Sequence, residues 1–321
     1  MKASKNHKKR VELFRKFSNN FQKAREVIPL VAEKPLPDNK FLYVCPLCFK
    51  VFNEGALNQG SNYSLTIEHV PSYSLQGKGI LLTCKECNNE AGSKLDKKLL
   101  DFEAVEEFNQ KSLGSKIKAF VEINNELKSS ALISNLEGGV HFKLNINRDE
   151  PRDKKLQSIL GKGRLPSTVQ ISFKYNQPDK RIVLISHLRI AYLLAFSRLG
   201  YAYILSNGLE KIRHQILDPN KILLPEFGSI NPINYEFKRE GIYLVTTPKE
   251  LKSLLVVFKM RTSLSLKFQC VMLPLPYEDA FDFYQKVLLR NSNLTKITCI
   301  NLDPNFDYLE NFREALKILS K

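Results

Sequence analysis

The chain is read outward from Cys45-Pro-Leu-Cys48, Leu65-Thr66-Ile67-Glu68-His69-Val70-Pro71 and Cys84-Lys-Glu-Cys87-Asn88-Asn89-Glu90-Ala91-Gly92-Ser93-Lys94-Leu95-Asp96. Two C-x-x-C pairs have the spacing of a tetrahedral four-cysteine zinc site, each pair turning two sulfurs toward one ion. An ion held by four thiolates keeps no open position, so Cys45, Cys48, Cys84 and Cys87 predict structural zinc. Its binding energy stands in for a core that a short, polar segment can hardly build. The interval between the pairs is 35 residues, against roughly 15–20 in a simple zinc ribbon. The extra length holds the Glu68-His69 dyad.

Around the cysteines, Phe41–Val44, Leu65–His69 and Gly79–Thr83 read as short strands, and Asn88 to about Phe108 reads as a helix. Zinc at the two knuckles is expected to bring Asn88, at the helix start, close to the strand bearing Glu68 and His69.

With two knuckles, an acid–His dyad and an Asn directly after the last Cys, residues 41–100 resemble the HNH endonuclease superfamily. The resemblance is to the branch that ends C-x-x-C-N. It implies a zinc-stapled ββα-metal, treble-clef-like finger. It further implies that His69 is the general base, and that Glu68 and Asn88 hold a catalytic Mg²⁺ or Mn²⁺. The roles are chemically coherent. A neutral imidazole can take a proton from water near neutral pH. A hard divalent ion on oxygen ligands can neutralise the charge that develops on a phosphodiester. The sequence departs from the family pattern in three ways: Glu stands where Asp is more usual, no Asn lies between His69 and Cys84, and no second His lies between His69 and His141. Asn89 is a rival to Asn88, and Asp96 is a further candidate ligand.

The net charge of +16 points to a polyanionic partner. The resemblance makes that partner DNA, with RNA also open. The excess is denser at the N-terminus, where residues 1–99 hold 17 Lys and Arg against 9 Asp and Glu. Lys78, in the Gly-containing segment before the second knuckle, and Lys85, Lys94, Lys97 and Lys98 flank the dyad and are candidate phosphate contacts. Residues 8–27 read as a basic amphipathic helix with Val11, Phe14, Phe17, Phe21 and Ala24 on one face; Pro29, Pro35 and Pro37 then mark a linker.

No signal-peptide pattern is visible. The most apolar run, residues 182–205, is interrupted by Arg189 and Arg198, so a cytoplasmic protein without a membrane span is expected. The division expected is residues 1–39, basic helix and linker; 40–108, nuclease finger; and 109–321, a larger α+β domain. Strands are expected at 116–124, 139–146, 168–174, 241–246, 254–259 and 264–273, and helices at 187–199, 208–217, 278–289 and 307–319. Residues 148–167 read as an exposed loop. Cys270 and Cys299 read as buried apolar residues, and His141, His187 and His214 as structural. The C-terminal region would recognise DNA, sense a ligand or form a homodimer. The function expected is a metal-dependent DNA endonuclease, in an architecture that suits phage defence. The alternatives are a non-catalytic zinc-dependent nucleic-acid-binding protein and a ligand-gated effector with a C-terminal sensor.

Overall fold

The computed structural model describes residues 5–27, 41–58, 63–124, 127–145, 168–172, 179–225, 239–291 and 297–320, with residues 154, 157 and 158. The proline linker and most of the loop at 148–167 lie outside these residues. The fold is mixed α and β, with small antiparallel sheets. Its compact units do not follow a linear division. One comprises residues 1–98, 180–261 and 266–321; the other comprises residues 99–179 with the turn 262–265.

The first unit opens with α1 (Lys5–Val27). Phe14, Phe17, Phe21 and Ala24 bury along one face of it, as their spacing requires, while Val11 is half-buried. Phe14 stacks on Tyr43, Phe17 on Phe196, and Phe21 meets the edge of Tyr201. Then come β1 (Tyr43–Val44), β2 (Val51–Phe52), β3 (Leu65–Val70) and β4 (Lys78–Cys84), paired as two antiparallel hairpins. Helix α2 (Lys85–Ala91) follows at once, with the Cys84 sulfur accepting from the Cys87 N–H at its start. It runs through a π-helical turn (Gly92–Asp96) into α3 (Lys97–Asn109).

Helix α4 (Lys180–Leu199) is the long apolar element. It starts seven residues before the expected 187. It is long and apolar enough to cross a membrane, yet most of its apolar window is buried inside the protein. It contacts β10 (Ser253–Arg261) and β11 (Leu266–Pro274) of a sheet ordered β11-β10-β9-β12, where β9 is Gly241–Thr247 and β12 is Thr298–Asn301. Helices α5 (Tyr201–Ile204), α6 (Glu210–Leu217), α7 (Ala280–Asn291) and α8 (Phe312–Ser320) complete the unit. Between α4 and α5, Gly200 has φ +63°, and a β-carbon there would stand 2.2 Å from Asn20 Oδ1. Only glycine lets Asn20 accept from the Tyr201 N–H at 2.8 Å.

The second unit holds an antiparallel sheet ordered β7-β6-β5-β8, with β5 Lys116–Ile123, β6 Leu127–Leu136, β7 Gly139–Asn145 and β8 Val169–Ser172. β6 was not expected. Its sequence, LKSSALISNL, carries small polar residues where strand signals are usually β-branched or aromatic. One sheet face packs Ile117, Ala119, Val121, Ala131 and Ile133 with Phe108 and Ile171. Glu107 accepts from Ser265 at 2.7 Å and also from Thr262.

In the first unit the deepest polar contact is an ion triad. The Arg189 guanidinium on α4 lies 2.5 Å from Glu68 on β3 and 3.0 Å from Asp96 in the π-helical turn, with all three side chains largely buried. Burial works against the Arg189 charge, and the two carboxylates outweigh it and raise its pKa. Burial also raises Glu68 and Asp96, while Arg189 pulls both back. Breaking a buried pair strands its remaining charges. Arg189→Met is therefore expected to lower unfolding stability by about 3–5 kcal/mol. The loss should shrink as pH falls, because the stranded carboxylates then take up protons. Urea unfolding of both proteins at pH 8 and pH 5 checks this; equal stability at pH 8 contradicts it.

Candidate metal centre and the histidine hairpin

Each knuckle is shaped by its backbone. After Cys45-Pro-Leu-Cys48 the chain turns at Phe49, which has φ +58°. The turn closes with Phe49 N–H donating to the Cys45 carbonyl and Cys45 N–H to that of Lys50, both at 3.0 Å. The second knuckle is the join of β4 and α2. Cys45 Sγ accepts from the Cys84 N–H at 3.5 Å, and Cys84 Sγ from the Cys87 N–H at 3.4 Å.

All four sulfurs lie within 4.8 Å of one another. Cys48 Sγ and Cys84 Sγ are 3.7 Å apart. A tetrahedral ion bound to sulfurs about 2.3 Å away separates them by about 3.8 Å, so the cluster fits zinc. The group is positioned to bind one metal ion. The other two cysteines take no part: Cys270 is buried and Cys299 half-buried.

The first knuckle is held from the rest of its unit. Tyr192 donates its hydroxyl to the Pro46 carbonyl at 2.9 Å, and Arg213 donates to that of Leu47 at 3.1 Å. The Tyr201 hydroxyl donates to the Val44 carbonyl at 2.6 Å and accepts from the Val44 N–H at 2.9 Å. Tyr43 bridges the two hairpins by donating to the Leu82 carbonyl and accepting from the Leu82 N–H.

The β3–β4 hairpin carries the dyad. Its register runs Thr66–Thr83, Glu68–Leu81, His69–Gly79 and Val70–Lys78, leaving Ile80 unpaired as a β-bulge. Side chains alternate along β3, so Glu68 and His69 leave the hairpin on opposite faces. Glu68 lies on the Thr66 face. Its Oε2 accepts from Thr83 at 2.8 Å, and its Oε1 takes the Arg189 contact. Asn88, half-buried on α2, donates its amide to Thr66 Oγ1 at 2.9 Å. Asn89 is exposed. Asp96 is committed to Arg189.

His69 lies on the Ile67 face. A β-carbon on its partner Gly79 would stand 2.4 Å from Ile67 Cγ2, 3.4 Å from His69 Nε2 and 3.6 Å from Lys9 Nζ. Glycine there makes room for the Ile67 methyl, with the imidazole and the ammonium both close by. The Tyr73 ring meets the imidazole edge-on at 5.5 Å. Burial and then the Lys9 charge lower the His69 pKa below its ordinary value of 6.5.

Glu68 and Asn88 are thus brought to one face, and His69 is not brought to them. Both Glu68 oxygens are already engaged, Oε2 by Thr83 across the hairpin and Oε1 by Arg189 on α4, so as placed the two residues do not offer a ligand set for a divalent ion beside His69. Of the lysines, Lys78 pairs with Val70 on the face opposite His69, and Lys94 pairs with Glu90 at 3.0 Å. Lys85 is half-buried on α2, while Lys97 and Lys98 are exposed on α3. Lys9 is the residue that sequence reasoning missed. Its helix was read as basic, and nothing in its spacing said that one lysine would meet the hairpin tip.

His187 is buried against Phe258, and neither ring nitrogen has a hydrogen-bond partner among the described residues. Burial lowers its pKa to about 4. It is buried, without the hydrogen bonds that a satisfied structural histidine would have among the described residues. Arg198 is spent on the carbonyls of Asp303 and Phe306. It lines a cavity of about 260 Å³ with Leu194, Glu240, Ile242 and Asn301.

Two outcomes follow from this geometry. Purified protein is expected to hold one equivalent of zinc by elemental analysis, and Cys84→Ser to lose it together with thermal stability. Prolonged chelation should unfold the wild type in the same way; full stability without metal would contradict the staple. A depressed histidine pKa stabilises the fold above pH 6.5, and that contribution is lost as pH falls through the lowered value. The His69 ring should therefore titrate below 6.5 by NMR, and Lys9→Gln should move its midpoint upward. An unmoved midpoint would remove Lys9 from the site.

Compared with protein-family models, with curated proteins and with solved structures, the chain matches none.

Proposed function

We propose that this chain is a zinc-stapled endonuclease of the HNH type that hydrolyses phosphodiester bonds in DNA, with His69 as the general base. The observation that carries this reading is the hairpin tip. There a half-buried histidine, its pKa lowered by burial and then by the Lys9 charge, and the exposed Lys9 lie against the same residue, Gly79. A neutral imidazole can deprotonate water, and an ammonium can offset the charge that develops on a phosphate. The basic chain, at +16, favours the polyanion. Zinc in this reading is structural, and it stiffens the segment that ends in the second knuckle and α2.

Glu68 is read as a structural acid paired with Arg189, and no step is assigned to an ion on Glu68 and Asn88. That same pairing favours a second reading, a zinc-dependent nucleic-acid-binding protein without catalysis. One experiment separates them. Supercoiled plasmid is incubated with wild type, His69→Ala, Lys9→Gln and Glu68→Gln, in Mg²⁺, Mn²⁺ or EDTA. The nuclease reading expects wild type to nick or linearise DNA in a divalent ion. It expects His69→Ala to lose activity by about a hundredfold or more, the scale of general-base catalysis. Lys9→Gln should be intermediate. Glu68→Gln should lower the thermal midpoint more than it lowers activity below that midpoint. Equal cleavage by wild type and His69→Ala overturns the proposal. DNA binding without cleavage in any ion selects the second reading.

A further inference from the structure

Helix α1 carries a charge that nothing around it answers. Arg10 lies on the buried face of that helix and is only 5% exposed. Its Nε and Nη1 have no hydrogen-bond partner, and its guanidinium forms no ion pair among the described residues. A guanidinium stays protonated in any protein interior, so the charge cannot be shed to relieve its burial. Burying it unpaired costs stability. Arg189, which is buried as deeply, shows the ordinary remedy: two carboxylates.

Two contacts bracket Arg10 along the helix. Lys9, the residue before it, brings Nζ to 3.6 Å from the β-carbon position of Gly79 on β4. Phe14, one turn on, stacks on Tyr43, whose hydroxyl is bonded to Leu82 of the same strand. Arg10 therefore lies where α1 passes the stretch from Gly79 to Leu82, next in the chain to the lysine that meets His69. Acids are missing there. The first turn of α1 holds none, and neither do β1, β2 and β4. Glu68 of β3 is turned to the opposite face and held by Arg189, and Glu54 is exposed and 4.0 Å from Arg15. Glu12 is exposed, and two positions from Arg10 sets it roughly 200° round the helix.

We propose that Arg10 and Lys9 together bind a phosphate group on the His69 face of the hairpin. A guanidinium donates through a planar fork that matches phosphate oxygens in pairs. Its attraction for an anion is strongest where water is excluded. A carboxylate partner would stabilise the fold more simply; an unanswered arginine keeps its donors for an anion that comes and goes. The small part of Arg10 that stays exposed is where that anion can meet it. The inference rests on the nuclease reading for one point, that this phosphate is the one His69 acts on. A nucleic-acid backbone and free inorganic phosphate offer the same chemistry, and the test separates them.

The test uses the full zinc-loaded chain without added Mg²⁺ or Mn²⁺, so that binding is read without cleavage. Thermal midpoints are measured in sodium phosphate against sodium chloride of equal ionic strength. Affinity for a fluorescent duplex of twenty base pairs is measured at several salt concentrations. Phosphate is expected to raise the wild-type midpoint above its value in chloride. Arg10→Met should start at or above the wild-type midpoint in chloride, because the unpaired charge is gone, and should gain nothing further from phosphate. Its affinity for duplex should fall about tenfold, with the log–log salt slope flattened by about 0.9, the value of one phosphate contact. Arg10→Lys, which keeps the charge without the fork, should lie between, and it carries the test should Arg10→Met fail to fold. Lys286→Gln, exposed on α7, is the control and should change nothing. An Arg10 variant that keeps both the wild-type phosphate shift and the wild-type affinity for duplex overturns the proposal, even if wild type cuts DNA. A lost phosphate shift with unchanged affinity for duplex assigns the site to free phosphate and overturns its place beside the scissile bond. A wild type that cuts no DNA in any ion, with the phosphate shift lost in Arg10→Met, sinks the nuclease reading and supports the phosphate site.

Discussion

One buried guanidinium holds the first unit together. Arg189 comes from the middle of a long apolar helix, Glu68 from a hairpin strand and Asp96 from a π-helical turn. None of the three charges is stable alone in that interior, because burial penalises each. Together they satisfy one another, and each fixes the position of its own element. The π-helical turn belongs to this arrangement. It sets where Asp96 faces and where the Leu95 carbonyl accepts from the Ser186 hydroxyl on the same long helix. A residue resembling a metal-site acid in sequence is therefore spent on architecture.

The cysteine module is not a free-standing finger joined to a passenger. Tyr192, Tyr201 and Arg213, more than a hundred residues further along, hydrogen-bond the backbone of the first knuckle and the strand before it. A metal on the four cysteines and the tyrosines would do different jobs there. The metal can gather four thiolates that would otherwise repel, while the hydroxyls and guanidinium satisfy carbonyls that the tight turn leaves unpaired. The N-terminal helix completes the shell through Phe14, Phe17 and Phe21 and lays Lys9 beside the histidine.

Much of this was legible in the sequence where the signal is local. Cysteine spacing announced the four-sulfur cluster, since a C-x-x-C turn needs only its own backbone to aim two sulfurs. Period-two and period-3.6 patterns located β5, β9, β10, β11 and the helices, because one buried face imposes one periodicity. β6 escaped because its serines and alanine give no strand signal; the sheet makes it a strand by pairing it on both edges. The linear division at residue 108 could not foresee that residues 180–261 return to pack with the first hundred, since contacts between distant segments leave no local mark.

The sequence by itself determined the four-cysteine group that can hold a metal, the basic character of the chain and the adjacency of an acid and a histidine at a strand end. Tertiary structure alone decided what that adjacency means. Two neighbours on a strand point to opposite faces, so whether they serve one site depends on what packs against each face. Arg189 claimed Glu68 on one side, and Lys9 met His69 on the other.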